Sequence, residues 1–539
     1  MYERLTRLAA YIGARPRLAA PVFGLLGALG FPPIHAWPIG LLGVAGLVWL
    51  VWRSATLKRA FLLGWLFGVT HLTLANSWIA TAFTYQAEMP PALGWAAVPL
   101  LSCYLAVYPA LATLIAKWLA QRLGGISSEV GIGRFGVVLA ACWIVTEWLR
   151  SWVFTGYPWP PLGLMLLGGY DTPGVAAVLP VTGTYALSGI VIAIATVFAA
   201  DVRARRIVNA ALLAVIVTLT MLGIPRLHEP REGTLPYTLV QPNIPQEQRD
   251  DPRFFEEHFE KLARLTLPRD DEPRLVLWPE AAVSDYLRPG YPQRYYDQMT
   301  AGGDPEFARW RIGRVIGADK LLLTGAVDLE IRDGRAAGAR NSVTAIDGSG
   351  VLVGDGYAKA HLVPYGEYLA LRWLLEPLGA TRLVAGTIDF WPGPGPRTLD
   401  LGVYGQAGVQ ICYEIVFSGQ VVNRANRPEY IFNPSNDGWF GWFGPPQHLA
   451  QARLRAIEEG LPVLRSTTTG ISAVIDANGV VRQYIGMQQA ARIDGRVPPP
   501  HAPTLFSRWG NALPLAWAAL LLLCAAIAPS LVARAGGRR

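Results

Sequence analysis

The sequence predicts an integral membrane protein, a bundle of eight membrane-spanning helices that carries one extracytoplasmic α/β domain. Three observations lead there. Only 16% of the 539 residues are charged and 52% are hydrophobic, whereas an ordinary soluble domain is roughly 25% charged. The charge is unevenly placed: Arg226–Arg508 holds 30 basic and 33 acidic residues, the rest of the chain 17 basic and 6 acidic. The patterning changes at the same boundaries, from long uncharged runs to short β-branched runs punctuated by Gly, Pro, Asp and Asn.

The spans come first along the chain. Uncharged runs cover 18–52, 60–87, 89–116, 135–146, 172–200, 207–225 and 509–533, most of them reaching the ~17–25 residues that cross a bilayer core. Pro32, Pro33 and Pro38 break the first run into one long or two short segments, and the flanking charges arbitrate. Basic clusters lie at Arg4, Arg7, Arg15 and Arg17, at Arg53, Lys58 and Arg59, at Lys117, Arg122 and Arg134, at Arg203, Arg205 and Arg206, and at Arg534, Arg538 and Arg539. The gaps 31–38 and 83–90 contain no Lys or Arg, and 150–174 only Arg150. Two spans in the first run preserve this alternation, so eight helices with both termini cytoplasmic satisfy the positive-inside rule at every loop.

That topology places residues 1–225 in the membrane as seven helices, 226–508 in an extracytoplasmic domain, and 509–539 in an eighth helix with a basic cytoplasmic tail. A cleavable signal peptide over residues 1–30 is the competing reading of the N-terminus, and the continuation of 18–52 into further apolar sequence weighs against it. Basic residues scattered between apolar runs fit membrane topology and exclude a phosphate-binding patch, hence nucleic acid as a partner. Four cysteines make no CxxC pair and no zinc spacing, so neither a metal nor a disulfide scaffold is expected. Within the spans, Glu147, His71 and Asn76 are the main polar residues. Polar groups there are functional candidates by default, while for Glu147, near a helix end with Arg150, an interfacial ion pair or snorkelling is the favoured account.

Between Arg226 and Arg508 strands are expected at Tyr237–Gln241, Arg274–Trp278, Lys320–Val327, Asn341–Ile346, Gly408–Cys412, Tyr430–Asn433, Val463–Ser466 and Ser472–Ile475, and helices at 252–265, 304–317 and 447–460. Three of these strand ends carry chemistry. Cys412, the only cysteine of this domain, ends an apolar strand at a turn whose helix N-terminus would favour thiolate. Glu280 follows the buried run Arg274–Trp278, and Lys359 precedes a Gly-punctuated aromatic loop. A lone terminal Glu or Lys is usually just solvated, and an unpaired Cys is as often core filler as nucleophile. Together they supply what acyl transfer needs: a nucleophile, a base for its proton and a cation for the oxyanion.

The order Trp278-Pro279-Glu280, Tyr357-Ala358-Lys359 with Pro364-Tyr365-Gly366-Glu367, and Cys412-Tyr413-Glu414 resembles the Glu-Lys-Cys triad of the nitrilase superfamily. With the spans it resembles the apolipoprotein N-acyltransferase family, as do Val240–Gln246, Asn433–Gly441, Gln447-His448 and Arg465–Ile471. The resemblance implies a nitrilase-like αββα sandwich in the inner membrane's periplasmic face. It implies ping-pong acyl transfer without a cofactor: Cys412 takes the sn-1 chain of a phospholipid, typically phosphatidylethanolamine, and passes it to the N-terminal amine of diacylglyceryl-cysteine on an apolipoprotein.

Glu280 is then the base, Lys359 the oxyanion cation, Glu367 and Glu414 the groups that orient Lys359 and its loop, and Tyr413 a wall beside the sulfur. Tyr365, Tyr368, Leu369, Trp373, Leu374 and Leu375 form an aromatic arm, and Trp439, Phe440, Trp442 and Phe443 a loop, either of which could contact lipid or simply pack. The family also implies a monomer. It usually carries a Trp shortly after the Asn-Ile-Pro-Gln segment; residues 247–253 contain none, so its role falls to other residues, of which Phe254 and Phe255 are two candidates.

Three rival readings share these residues. A membrane-tethered amidase would use the same triad with water as acceptor. A Cys-His protease would pair Cys412 with His448 or His361. A sensor or transporter would merely bind a ligand in the extracytoplasmic domain and would need ionisable residues along its helices, where few are found.

Overall fold

The computed structural model describes residues 12–85, 90, 92–123, 129–223, 231–375, 377 and 389–536, without side-chain detail at 129–130, 374–375 and 528–536. Arg4, Arg7, Arg226, Arg538 and Arg539 of the charge argument, and the Leu374 and Leu375 side chains of the aromatic arm, lie outside the described residues. By contacts the chain divides into two compact units, one of Met1–Ala80, Ala92–Pro225 and Trp509–Arg539, the other of Thr81–Pro91 and Arg226–Arg508.

The first unit is helical. Pro16 opens the helix Pro16–Ala28, and the next, Trp37–Arg53, has Pro38 in its first turn, where the missing N–H costs nothing. Pro32 and Pro33 fall in the break between them. The two helices pack at backbone distance: a Cβ on Gly43 would lie 2.5 Å from both Gly27 N and Phe23 O, and one on Gly24 2.3 Å from Phe67 O in the helix Leu57–Ala75. Small residues at helix contacts are the usual means of close approach between apolar helices. Ala92–Arg122, Gly131–Arg150 and Thr184–Arg203 are long and apolar enough to cross a membrane. Leu57–Ala75 with Ile79–Tyr85, bent by 52°, is a fourth if the pair counts as one. Trp37–Arg53, Ile207–Leu222 and Ala512–Ile527 are shorter apolar helices.

Glu147 and Arg150, expected as an ion pair near a helix end, lie within the helical unit. Both are buried and 3.7 Å apart. Glu147 Oε1 accepts from the Leu162 backbone N–H at 2.8 Å, while Arg150 donates to the carbonyls of Trp159 and Pro160 at 3.3 and 2.8 Å. The pair therefore satisfies backbone groups of the irregular stretch 159–162, as buried polar groups require. With His71 they line a small cavity of about 20 Å³.

The second unit holds two six-stranded sheets. In the first, the order is β12-β1-β2-β3-β4-β5, with β1 Pro236–Gln241, β2 Arg274–Leu277, β3 Lys320–Arg332, β4 Arg335–Asp347, β5 Tyr357–Ala358 and β12 Ala491–Arg496. The second runs β11-β10-β9-β8-β7-β6, with β6 Thr398–Asp400, β7 Gln406–Val409, β8 Tyr430–Ser435, β9 Val463–Thr467, β10 Ser472–Ile475 and β11 Val481–Ile485. Each has three parallel strands, β1 to β3 or β7 to β9, flanked by antiparallel ones.

Pairing puts Val276, Leu322 and Ile346 in one row of the first sheet. They share a core with Leu262 and with Ile312 and Ile316 of the helices Phe255–Thr266 and Pro305–Ile316. The alternate residues face the other way, and β1 meets β9 across the two sheets: Ser466 Oγ donates to Val240 O at 2.7 Å and Thr467 Oγ1 to Gln241 Oε1 at 2.9 Å. The helix Gly444–Glu459 packs on β9 and β10. Residues 410–412, expected to continue a strand, instead leave it: Cys412 opens a single 3₁₀ turn, Cys412–Val416.

Candidate active site

Three strand ends converge. Beyond β2, Trp278 N–H donates to Leu323 O at 3.0 Å and Gly325 N–H to Pro279 O at 3.2 Å, holding Glu280 against β3. A Cβ at Gly325 would lie 2.4 Å from Ala281 N, so only glycine permits this approach. Lys359 follows β5, and its backbone N–H donates to Asn341 O on β4 at 2.9 Å. Cys412 lies past β7 with φ +50°, a left-handed conformation that costs a non-glycine residue about 1–3 kcal/mol and persists where its surroundings enforce it.

The ionisable side chains meet in a buried cluster. Lys359 Nζ is 2.9 Å from Glu367 Oε1 and 3.5 Å from Glu280 Oε1. Asn341 Nδ2 donates to both carboxylates, at 2.7 Å to Glu280 and 3.0 Å to Glu367. Backbone N–H groups complete them: Asn436 donates to Glu280 Oε2 at 2.7 Å and Val363 to Glu367 Oε2 at 2.8 Å. Burial works against the charge on Lys359, but Glu367 and Glu280 more than offset it and hold its pKa above the ordinary lysine value. An ammonium held charged in this way is suited to act on a developing oxyanion.

The Cys412 thiol behaves differently from the thiolate expected at a helix N-terminus. Burial, then the neighbouring Glu280 carboxylate, push its pKa well above the ordinary value, against the opposing pull of Lys359 and a hydrogen bond from the Asn436 backbone. The five-residue turn it opens is too short to carry a helix dipole. These surroundings favour the neutral thiol over the thiolate, so a sulfur nucleophile here would need a base at hand.

Glu414 ties the turn of Cys412 to the loop of Lys359. Its Oε2 accepts from Ile411 N–H at 2.8 Å, and its Oε1 from Tyr357 OH at 2.7 Å, Ala360 N–H at 2.7 Å and His361 N–H at 3.2 Å. Glu367, by contrast, touches Lys359 itself. Tyr413 is buried, edge-on to Phe417 at 5.1 Å. The aromatic residues separate into two groups. Trp373 and Trp442 are 76% and 66% exposed and Tyr365 39%, whereas Phe440 is buried edge-on to His448 at 5.6 Å and Trp439 meets Tyr85 at 5.7 Å. Phe254 stacks on His258, and Phe255 lines a cavity of about 180 Å³ beside Ala281 and Tyr286, next along the chain from Glu280.

Neither histidine offered for a Cys-His pair is placed as a base for the thiol. His448 Nε2 lies 3.0 Å from the Cys412 carbonyl oxygen and its Nδ1 2.9 Å from Asp437 Oδ1, and His361 stacks on Phe417 at 4.2 Å. Motif reading missed Asn341, and it gave no role to Asn436 or to the Asp437–Arg465 pair, 2.7 Å apart, although their segments Asn433–Gly441 and Arg465–Ile471 carried the resemblance.

Comparison with known proteins is consistent across both units. Residues 23–197 match the family model for the apolipoprotein N-acyltransferase N-terminal domain, and residues 238–486 the one for carbon-nitrogen hydrolases. The chain is 32% identical over 546 residues to an apolipoprotein N-acyltransferase of Rhodopseudomonas palustris, an alignment covering 96% of this chain and 97% of the relative. It is 34% identical over 506 residues to one of Allorhizobium ampelinum, covering 89% of each. Among solved structures, a carbon-nitrogen hydrolase from Helicobacter pylori G27 aligns with a TM-score of 0.35 at 14% identity, over 49% of this chain and 89% of that one.

Proposed function

Because the chain belongs to the apolipoprotein N-acyltransferase family, we propose that Cys412 is the residue that carries the acyl group, as a thioester, between its two substrates. The protein is an acyltransferase of lipoprotein maturation with a nitrilase-like second unit. The observation that carries the residue assignment is the meeting of one lysine and two carboxylates in a buried cluster around Asn341, with the buried Cys412 thiol near enough to feel the charges of Glu280 and Lys359.

The chemistry follows from the charges. Glu280 takes the Cys412 proton as the sulfur attacks the sn-1 ester carbonyl of a phospholipid, phosphatidylethanolamine being the donor proposed. Lys359 faces the oxyanion of the tetrahedral intermediate, a task worth roughly 3–4 kcal/mol per well-placed donor. The C–O bond breaks, Glu280 returns its proton to the departing alkoxide, and lysophospholipid leaves the thioester behind. The α-amine of a diacylglyceryl-cysteine then attacks the thioester, gives up a proton to Glu280, and expels the Cys412 thiolate, which Glu280 reprotonates. Glu367 and Glu414 keep Lys359 and its loop in register with the sulfur. Exposed Trp373 and Trp442 are suited to lipid contact, and Tyr365 and Trp439 to lining its approach.

The remaining parts of this reading are topological. Eight spans with both termini cytoplasmic, a membrane region of 1–225, a periplasmic catalytic domain of 226–508 and a final helix and tail of 509–539 agree with the alternation of basic clusters. A monomer suffices, since every group invoked comes from one chain. The test is intact-protein mass spectrometry of detergent-purified enzyme after incubation with phosphatidylethanolamine. A fatty-acyl increment on wild type, released by neutral hydroxylamine and absent from Cys412→Ala, is expected. No increment on folded wild-type protein supplied with lipid would sink the assignment of Cys412.

A further inference from the structure

We propose that His448, braced by Asp437, is a positioning residue that sets the Cys412 backbone relative to Glu280 for thioester formation; the inference rests on the assignment of Cys412 as the acyl carrier. The Cys412 backbone sits in the left-handed region, and its carbonyl is turned onto the imidazole, whose Nε2–H donates to it across 3.0 Å. On the other side of the ring, Nδ1 faces Asp437 Oδ1 at 2.9 Å and Arg465 Nη2 at 3.0 Å. Asp437 is held in turn, receiving Arg465 Nη2 on both oxygens at 2.8 and 2.7 Å. Arg465 Nη1 donates to Ser435 Oγ at 2.9 Å and to Asn433 Oδ1, and Asn433 Nδ2 reaches back to Gln410 O at 2.6 Å, two residues before the nucleophile.

Asp437 is also the neighbour of Asn436, whose backbone N–H donates to Glu280 Oε2 at 2.7 Å. The imidazole therefore spans the two backbone points that fix nucleophile and base, the Cys412 carbonyl and residue 437. Every member is buried, with His448, Asn433 and Arg465 all at 0% exposure, and the ring's Nε2 reaches the carbonyl of Cys412. A buried ion pair with a histidine is seldom the most stable way to fill such a volume. Its position behind a strained nucleophile accounts for it as a device of geometry, since a misplacement of about 1 Å can cost a reaction on the order of 10²-fold.

Two near-isosteric variants separate geometry from packing. The amide nitrogen of Gln occupies the place of Nε2 and that of Asn the place of Nδ1. The measurement is the single-turnover rate of thioester formation, by intact mass over a range of phosphatidylethanolamine concentrations, alongside Tm. His448→Asn is expected to lower the maximal rate on the order of 10²-fold with KM unchanged, because the ring does not face lipid, while His448→Gln recovers most of the loss at equal Tm. Equal rates for the two variants, or a loss that appears in KM alone, would overturn the proposal. Should His448→Asn not fold, Asp437→Asn is read in the same way: about tenfold slower acylation at unchanged KM supports the brace, and a wild-type rate refutes it. Wild-type protein that forms no thioester at all in this assay would instead remove the assignment of Cys412 on which the brace depends.

Discussion

Asn341 donates its side-chain amide to Glu280 Oε1 at 2.7 Å, and the same nitrogen lies 3.0 Å from Glu367 Oε1. One neutral side chain thus holds two carboxylates around the Lys359 ammonium without adding charge. Asn341→Leu removes a donor from each, and hydrogen bonds to charged groups contribute about 1.5–3 kcal/mol apiece. The variant should unfold at lower temperature and form thioester at least tenfold more slowly, by calorimetry and intact mass. Asn341→Asp should be worse, because a third carboxylate enters the same buried space. A Leu variant with unchanged Tm and rate would show that the bonds are idle.

Glu280→Gln is expected to move two measurements in opposite directions. The thiol of Cys412 is held high by burial and then by the Glu280 charge, so removing that charge lowers its pKa. The pH midpoint for alkylation by a small neutral reagent should shift downward. Enzymatic thioester formation should nonetheless fall by roughly 10²–10⁴-fold, the usual worth of a positioned base. If alkylation shifts upward, the electrostatic account of Glu280 is wrong; if acylation survives, its role as base is.

Lys359 lies between two carboxylates and is 1% exposed. Its substitution by Met strands both, and breaking a buried pair by removing one partner costs about 3–5 kcal/mol. Loss of thioester formation and a large drop in Tm are expected together. Lys359→Arg should fail to rescue catalysis, because a planar fork cannot reproduce a point charge in a filled site. Full activity in the Arg variant would argue against a shaped oxyanion site.

Arg150→Met tests the first unit independently. The carbonyls of Trp159 and Pro160 would lose their donor and Glu147 its cation. Each buried group left unsatisfied costs about 1–3 kcal/mol, so Tm in detergent should fall while the rate per folded molecule stays near wild type. Loss of rate at unchanged Tm would mean that Arg150 serves the substrate and not the fold.

The sequence is legible where apolar runs are short, β-branched and bounded by breakers. β1 to β4 and β8 to β10 each contain or closely match an expected strand, since their pattern reflects burial on both faces, while β7 overlaps its expected strand only at Gly408 and Val409. β11, Val-Arg-Gln-Tyr-Ile, and β12, Ala-Arg-Ile-Asp-Gly-Arg, were not read because edge strands carry charge on the open side. β5 and β6 have two and three residues, too few for a period to emerge. Glu280, Lys359 and Cys412 could be picked out because strand ends display chemistry. Asn341 sits inside β4 with nothing to mark it, and matters only because the β4–β5 register brings it beside Lys359. His448 reads as the start of an amphipathic helix, and its contact with the Cys412 carbonyl depends on where that helix packs. For Glu147 and Arg150, spacing near a helix end points to a pair but not to the backbone of 159–162 that the pair hydrogen-bonds.

β12 adds itself to β1 at the rim of the first sheet, joining Pro236–Gln241 to Ala491–Arg496. The hydrogen-bonding groups along one side of β1 therefore stay open until a further 250 or so residues have been synthesised. During that interval the emerging chain presents an unpaired β edge, the feature by which unfinished sheets recruit one another into aggregates. The sheet is sealed from both ends of its own sequence at once, so C-terminal truncation, even short of the chemistry, should yield insoluble protein in place of a weaker enzyme.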